Sequence, residues 1–154
     1  SGEINVKIQP LYAVPQHAEQ VIDWLWQAFG DSLPRSFFAS IIEHSQTPGA
    51  LPLTFIATDG ERLLGTAGLW RCDLISRQDL WPWFAALYVA EDARGQGLAG
   101  RLQHYAMDQA RGMGFKQLHL YSACRDFYER YGWQHIGEGL DYPDTLVNLY
   151  RYAL

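Results

Sequence analysis

The sequence predicts an α/β fold, a mixed sheet with helices packed on both faces. Three observations carry that expectation. Apolar residues near the start alternate with polar ones and then change to helical spacing. In mid-chain, "WPWFAALYV" is an unbroken apolar run with the character of a strand buried on both sides, and a glycine-rich turn leads from it into an amphipathic segment. The last part of the chain, "WQHIGEG" and "TLVNLYRYA", reads as two more strands.

Taken in order, Ile4, Val6 and Ile8 alternate as in a half-buried strand. The segment "YAVPQHAEQVIDWLWQAFG" then places Val21, Leu25 and Phe29 on one helical stripe, with Gly30 as the stop. A second short helix is expected over Phe37 to His44, before the breaker cluster "TPGALP". "LTFIATDGERLLGTAGLW" reads as a hairpin turning around Asp59-Gly60. Arg71 to Leu80 is polar and loop-like, and the buried fourth strand follows it. Leu98, Leu102, Tyr105, Ala106, Ala110 and Met113 then hold helical spacing up to the stop at Gly114. "KQLHLYS" is a fifth strand, and a short helix over Asp126 to Tyr131 ends at Gly132 before the two closing strands. The resulting order is β, α, α, β, β, β, α, β, α, β, β.

At 154 residues with 48% hydrophobic residues, the chain is sized for one well-filled core, and residues 3–154 are expected to form a single domain. The opening Ser1-Gly2, in place of Met, reads as a cloning remnant and is set aside. The net charge of -5, with no block of Lys and Arg, excludes the electrostatic footprint of a nucleic-acid binder. Cys72 and Cys124 are too few for a disulfide framework and lack partners at zinc-binding spacing; they read as free thiols, small buried hydrophobes of a reducing compartment. No metal is expected. Nor is there an apolar run of about 18 residues, so no membrane span is expected and the cytoplasm is the natural location.

The segment "VAEDARGQGLAGRL" places a glycine-rich turn between a buried strand and an amphipathic helix. Backbone N–H groups at a helix start lack internal partners and carry the positive end of the dipole, which makes them a site for pyrophosphate. Gly95 and Gly97 have no Cβ to obstruct the approach, and Arg94 adds a fixed charge. Gly95, Gly97 and Gly100 also satisfy G-x-G-x-x-G, so other readings compete. A Rossmann turn would run almost directly from its strand into the first glycine and would need an acidic residue ending the next strand, but "AEDAR" intervenes and the next strand ends in Tyr121-Ser122. A kinase loop would need H-R-D, and a Walker loop G-K-[ST]; neither is present.

These residues resemble the GNAT N-acetyltransferase superfamily, whose cofactor signature [QR]-x-x-G-x-[GA] is met by Arg94, Gly97 and Ala99. "FYERYGW" is similar to the F-Y-x-x-x-G-[FW] that the family carries after its fifth strand, and the order of elements matches over the whole chain. The resemblance implies a mostly antiparallel sheet of about seven strands, splayed between strands four and five, with acetyl-CoA inserted as cosubstrate. Its pantetheine arm would bond to the main chain of Leu87, Tyr88 and Val89, and its pyrophosphate would rest on Arg94, Gly95, Gln96, Gly97, Leu98, Ala99 and Gly100. Tyr128 matches the tyrosine that protonates the departing thiolate in many members. Where many members have Asn, this chain has Tyr121, and Ser122 is expected to supply the cofactor contact instead.

The implied activity is direct transfer of the acetyl group to a primary amine of a small molecule or peptide, with a homodimer compatible. A second reading is a non-catalytic acyl-CoA-binding or sensing module, against which Tyr128 argues. The transfer needs an uncharged amine, a polarised thioester carbonyl and a proton for the thiolate. Asp73, Asp79, His119 and Glu138 stand as alternative bases, each with an ordinary reading as a solvated or structural residue. Tyr131 is expected to pack. By analogy with the family, the loops around Phe29 to Ser36, Arg71 to Leu80 and Gly139 to Asp144 shape the acceptor site. Trp24, Trp26, Phe37, Phe38, Trp70, Trp81 and Trp83 are aromatic candidates for its walls, with core packing their default role.

Overall fold

One seven-stranded sheet, in the order β1-β2-β3-β4-β5-β7-β6, organises residues 5–154 in the computed structural model. Ile4 and the Ser1-Gly2 pair lie outside the described residues. The strands are β1 (Val6–Pro10), β2 (Leu53–Asp59), β3 (Arg62–Trp70), β4 (Trp83–Val89), β5 (Gln117–Ser122), β6 (Gln134–Asp141) and β7 (Thr145–Ala153). The helices are α1 (Ala18–Phe29), α2 (Arg35–Glu43) and α3 (Leu98–Gly112), with short 3₁₀ turns at Leu11–Ala13, Pro15–His17, Glu91–Ala93 and Tyr128–Tyr131. Every neighbouring pair is antiparallel except β4 and β5.

Alternation along the strands sorts side chains onto two faces. Ile56, Ala86 and Tyr88 join Val21, Ile22, Leu25, Phe38 and Ile42 beneath α1 and α2. Phe55, Ala57, Phe84 and Leu118 join Leu98, Leu102, Ala106 and Ala110 beneath α3 on the other face. A third cluster, Leu74, Leu80, Trp83, Val147 and Leu149, is closed by the 71–82 loop lying over β5, β7 and β6. Leu74 holds that loop down: it is 1% exposed, and its methyl approaches within 3.2 Å of where a Cβ on Gly139 would stand. Ser76 Oγ donates to the Leu140 carbonyl at 2.5 Å and fastens the same loop to β6.

Several boundaries differ slightly from the sequence expectations. Helix α2 begins at Arg35, whose guanidinium bonds Glu19 at 2.6 Å and Asp23 at 2.7 Å and so ties α2 to α1. The β2–β3 hairpin turns on Gly60-Glu61, one residue later than expected, with Asp59 paired to Arg62. Gly60 has φ +58, and a positive φ at only the first loop residue is the type II′ pattern. Both cysteines are free as expected, yet both are exposed where burial was expected. Each follows the end of a strand and so falls on a loop.

Candidate active site at the β4–β5 cleft

The parallel neighbours β4 and β5 pair through Trp83 and His119 alone, and beyond that point they separate toward their C-terminal ends. The cause is local. In the β3–β4 ladder, Gly68 opposes Ala85 and Thr66 opposes Tyr88, so Ala67 faces both Ala86 and Leu87. This is a β-bulge, with Ala86 at φ +53, and it bends β4 away from the sheet plane. The N–H of Ala90 donates to Leu64 on β3, so by alternation Tyr88 also turns its main-chain groups toward β3. Leu87 and Val89 therefore present theirs to the cleft, whereas the Tyr88 side chain packs on Trp24 with ring centroids 4.9 Å apart.

The glycine loop sits at the open end of the cleft. Gly95 and Gly97 both have φ +78, and a Cβ built at either would meet nothing within 4 Å, which leaves an open cradle over the start of α3. The first helical bond found is Arg101 N–H to the Gly97 carbonyl, 3.1 Å, so the N–H groups of Leu98, Ala99 and Gly100 have no acceptor within the helix. No side chain caps this end. Those free donors, facing a space without side chains, fit a pyrophosphate. Arg94 is exposed, with Nε donating to the Val89 carbonyl at 3.0 Å and its guanidinium 5.6 Å from the Tyr88 ring centroid. Gln96 is exposed on the same loop. Gly100 has a further reason for lacking a side chain: a Cβ there would lie 3.0 Å from the Tyr131 ring, so Tyr131 packs as expected.

Across the cleft, Tyr128 heads the 3₁₀ turn that follows β5. Its ring is held by Phe127 (4.9 Å), Tyr150 (6.0 Å) and Trp133 (6.3 Å), and its hydroxyl makes no hydrogen bond among the described residues. Burial, reinforced by the negative groups Cys124, Tyr131 and Asp73 when ionised, pushes this phenol up to about 12. It therefore stays protonated at neutral pH and is available as a donor. Tyr150, by contrast, spends its hydroxyl on Glu129 and the Cys124 carbonyl. Ser122 Oγ accepts the Cys124 N–H at 3.1 Å and keeps its own proton free to donate.

The four alternative bases separate in space. Asp79 makes a two-pronged ion pair with Arg77 (2.9 and 2.8 Å), which pulls it down to about 2. His119 sits at the closed end, beside a groove of about 420 Å³, and is 3% exposed. Burial lowers its pKa, and Arg151 Nε donates to its Nε2, which leaves the ring proton on Nδ1 facing the Pro82 carbonyl. Glu138 is exposed on β6. Asp73 differs from all three. It is partly buried beside Asp141 and Tyr121, has no cationic partner among the described residues, and burial together with the Asp141 charge pushes it up to about 7. Tyr121, whose ring meets Trp83 edge-on at 6.3 Å, is pushed up by burial and by these same two carboxylates. Exposed apolar side chains, Ile75, Leu140, Tyr142 and Leu146, lie on the 71–82 loop and the β6–β7 hairpin around this point.

The sequence model of the Acetyltransferase (GNAT) family matches residues 18–133. N-alpha-acetyltransferase 30 of Schizosaccharomyces pombe is 27% identical over 106 residues, covering 66% of this chain and 70% of that protein. Among solved structures, an aminoglycoside 6'-N-acetyltransferase complexed with coenzyme A has a TM-score of 0.75 at 16% identity, over 96% of each chain. A GNAT family acetyltransferase from Elizabethkingia anophelis with acetyl-CoA bound has a TM-score of 0.69 at 18% identity, covering 99% of this chain and 100% of that one. The structures share the fold with this chain, and the family match spans the bulged strand, the glycine cradle and Tyr128 alike. The chain belongs to the GNAT family of acetyltransferases and moves the acetyl group of acetyl-CoA to an amine.

Proposed function

We propose that residues 3–154 act as one domain that acetylates a primary amine by direct transfer within the β4–β5 cleft, with Tyr128 as the proton donor and Asp73 as the proton acceptor. The observation that carries this reading is the parallel pair joined only at Trp83 and His119, because its open end is flanked by the glycine cradle, by Tyr128 and by the loop bearing Asp73. The main-chain edges of Leu87 and Val89 would align the pantetheine arm. The N–H groups of Leu98, Ala99 and Gly100, with Arg94, Gly95, Gln96 and Gly97, would hold the pyrophosphate, and Ser122 would donate from the end of β5. Tyr88 enters through its ring, which supports Arg94.

Asp73 takes one proton from the acceptor's ammonium, freeing the nitrogen lone pair to form the C–N bond. As the C–S bond breaks, Tyr128 directs its hydroxyl hydrogen at the sulfur. A phenol near 12 is a weak acid, so its contribution begins as a strong hydrogen bond to the growing thiolate charge. The sulfur then takes the Tyr128 proton, and the second proton that nitrogen loses on becoming an amide restores the phenol, so that the thiol leaves protonated and the proton on Asp73 is released to solvent. The exposed Cys72 and Cys124 support a reducing compartment, the cytoplasm.

A carboxylate with no cation of its own favours a cationic acceptor, and the apolar rim of Ile75, Leu140, Tyr142 and Leu146 favours one whose amine is carried on an apolar group. Release of free CoA thiol with kanamycin, spermidine, tryptamine and a Met-Leu peptide with a free N-terminus tests this. The peptide and tryptamine should give the higher kcat/KM. A clear preference for kanamycin would reverse the assignment of the rim, and no turnover with any amine would favour the acyl-CoA-binding module.

A further inference from the structure

Tyr128 stands on a helical turn of four residues, too short to hold its own geometry, and the chain enters it through Asp126, a non-glycine residue at φ +75. Something else has to fix where the hydroxyl points. The neighbouring carboxylate makes the required set of bonds. Glu129 Oε1 accepts the Asp126 N–H at 2.9 Å, reaching back to the start of the turn as the acidic member of a capping box does. Glu129 Oε2 accepts Arg125 Nε at 3.0 Å and the Tyr150 hydroxyl at 3.1 Å. Tyr150 is 0% exposed on β7, where it pairs with Leu120 of β5 and His135 of β6, so it belongs to the rigid centre of the sheet.

We infer that Glu129 is the positioning residue for proton delivery: its carboxylate fastens the turn that carries Tyr128 to the fixed hydroxyl of Tyr150. This inference rests on the reading of Tyr128 as the donor. Glu129 touches neither reactant; it acts by holding the adjacent phenol against the cleft, with Tyr150 as anchor and Arg125 keeping the carboxylate charged. A misplacement of about 1 Å at a reacting group can cost about 100-fold in rate.

The test uses Glu129→Ala and the milder Tyr150→Phe, which keeps the ring and removes one of the carboxylate's donors. Acetyl-CoA is saturating, and the acceptor is the fastest amine of the panel above. Glu129→Ala should lower kcat by about 10- to 100-fold while KM for acetyl-CoA stays within about twofold, and Tyr150→Phe should lower it less. In a Tyr128→Phe background, Glu129→Ala should cause no further loss. An equal loss in both backgrounds would overturn the inference. A second readout is independent of catalysis. With 3-fluorotyrosine at position 128, the single ¹⁹F line should broaden or shift in Glu129→Ala and in Tyr150→Phe. A line unchanged in both variants would also overturn the inference. Full activity of Tyr128→Phe alone would remove the donor role, and the ¹⁹F line would still decide what Glu129 holds.

Discussion

Burying a carboxylate without a cation raises the free energy of its charged form, and Asp73 is such a group. Its pKa near 7 comes first from burial and then from Asp141. The groups that face it are Asp141 and Tyr121, with Tyr128 within electrostatic reach. The consequence for stability has a definite sign. The native pKa lies above the ordinary value of 3.8, so the native state binds the proton more tightly, and stability is lost as pH rises from about 4 through about 7. Asp73→Asn should therefore raise the melting temperature at pH 8 more than at pH 5. For catalysis the charged form is the useful one. With a weakly basic amine, wild-type kcat/KM should fall on the acid side with a midpoint near 7, and Asp73→Asn should lower the plateau by about 100-fold and abolish that limb. An Asn variant with normal activity and an unchanged acid limb would leave Asp73 a structural residue.

At the scale of elements, the start of α3 is the proposed pyrophosphate cradle, and the two ends of the helix supply their own control. Gly97 opens the helix at φ +78 and Gly114 follows it at φ +87, and a Cβ at either would meet nothing within 4 Å. Alanine at each position incurs the same left-handed strain, roughly 1–2 kcal/mol. Gly97→Ala should in addition weaken acetyl-CoA binding by about tenfold in a calorimetric titration, whereas Gly114→Ala should lose stability alone. Equal dissociation constants for the two variants would remove Gly97 from the cradle. Such elements were legible because their signals are local. The stripe of Leu98, Leu102, Ala106 and Ala110 places α3 to within one residue of its end, and the alternation in "TLVNLYRYA" places β7 without error. The bulge at Ala86 carried no such signal, since alanine at a positive φ is imposed by the sheet. The orientation of Tyr88, which turns its main chain to β3, depends on that bulge and could not be read either. The sequence left Asp73 level with Asp79, His119 and Glu138 because its environment is assembled from Tyr121 and Asp141, which are distant in the chain.

On the scale of the whole molecule, the sheet is split between β4 and β5, which pair only through Trp83 and His119. α3 and the glycine cradle cover one face, while α1, α2 and the 71–82 loop cover the other. The Trp83–His119 pair, buried beneath Leu80 and Leu149, closes the cleft at its base, so the gap opens only toward Tyr128 and the loop at Arg94. Under the proposed mechanism the acetyl donor and the amine would meet at this opening, where the Tyr128 hydroxyl makes no hydrogen bond among the described residues. The rate of acetyl transfer in Tyr128→Phe, at saturating acetyl-CoA, tests the account most directly. The substitution removes the proton and keeps the ring among Phe127, Trp133 and Tyr150. The account predicts a fall in kcat of about 100- to 10,000-fold with little change in acetyl-CoA affinity, and near-normal turnover in Tyr131→Phe. Wild-type kcat in Tyr128→Phe would contradict it, making Tyr128 a packing residue and water the source of the proton.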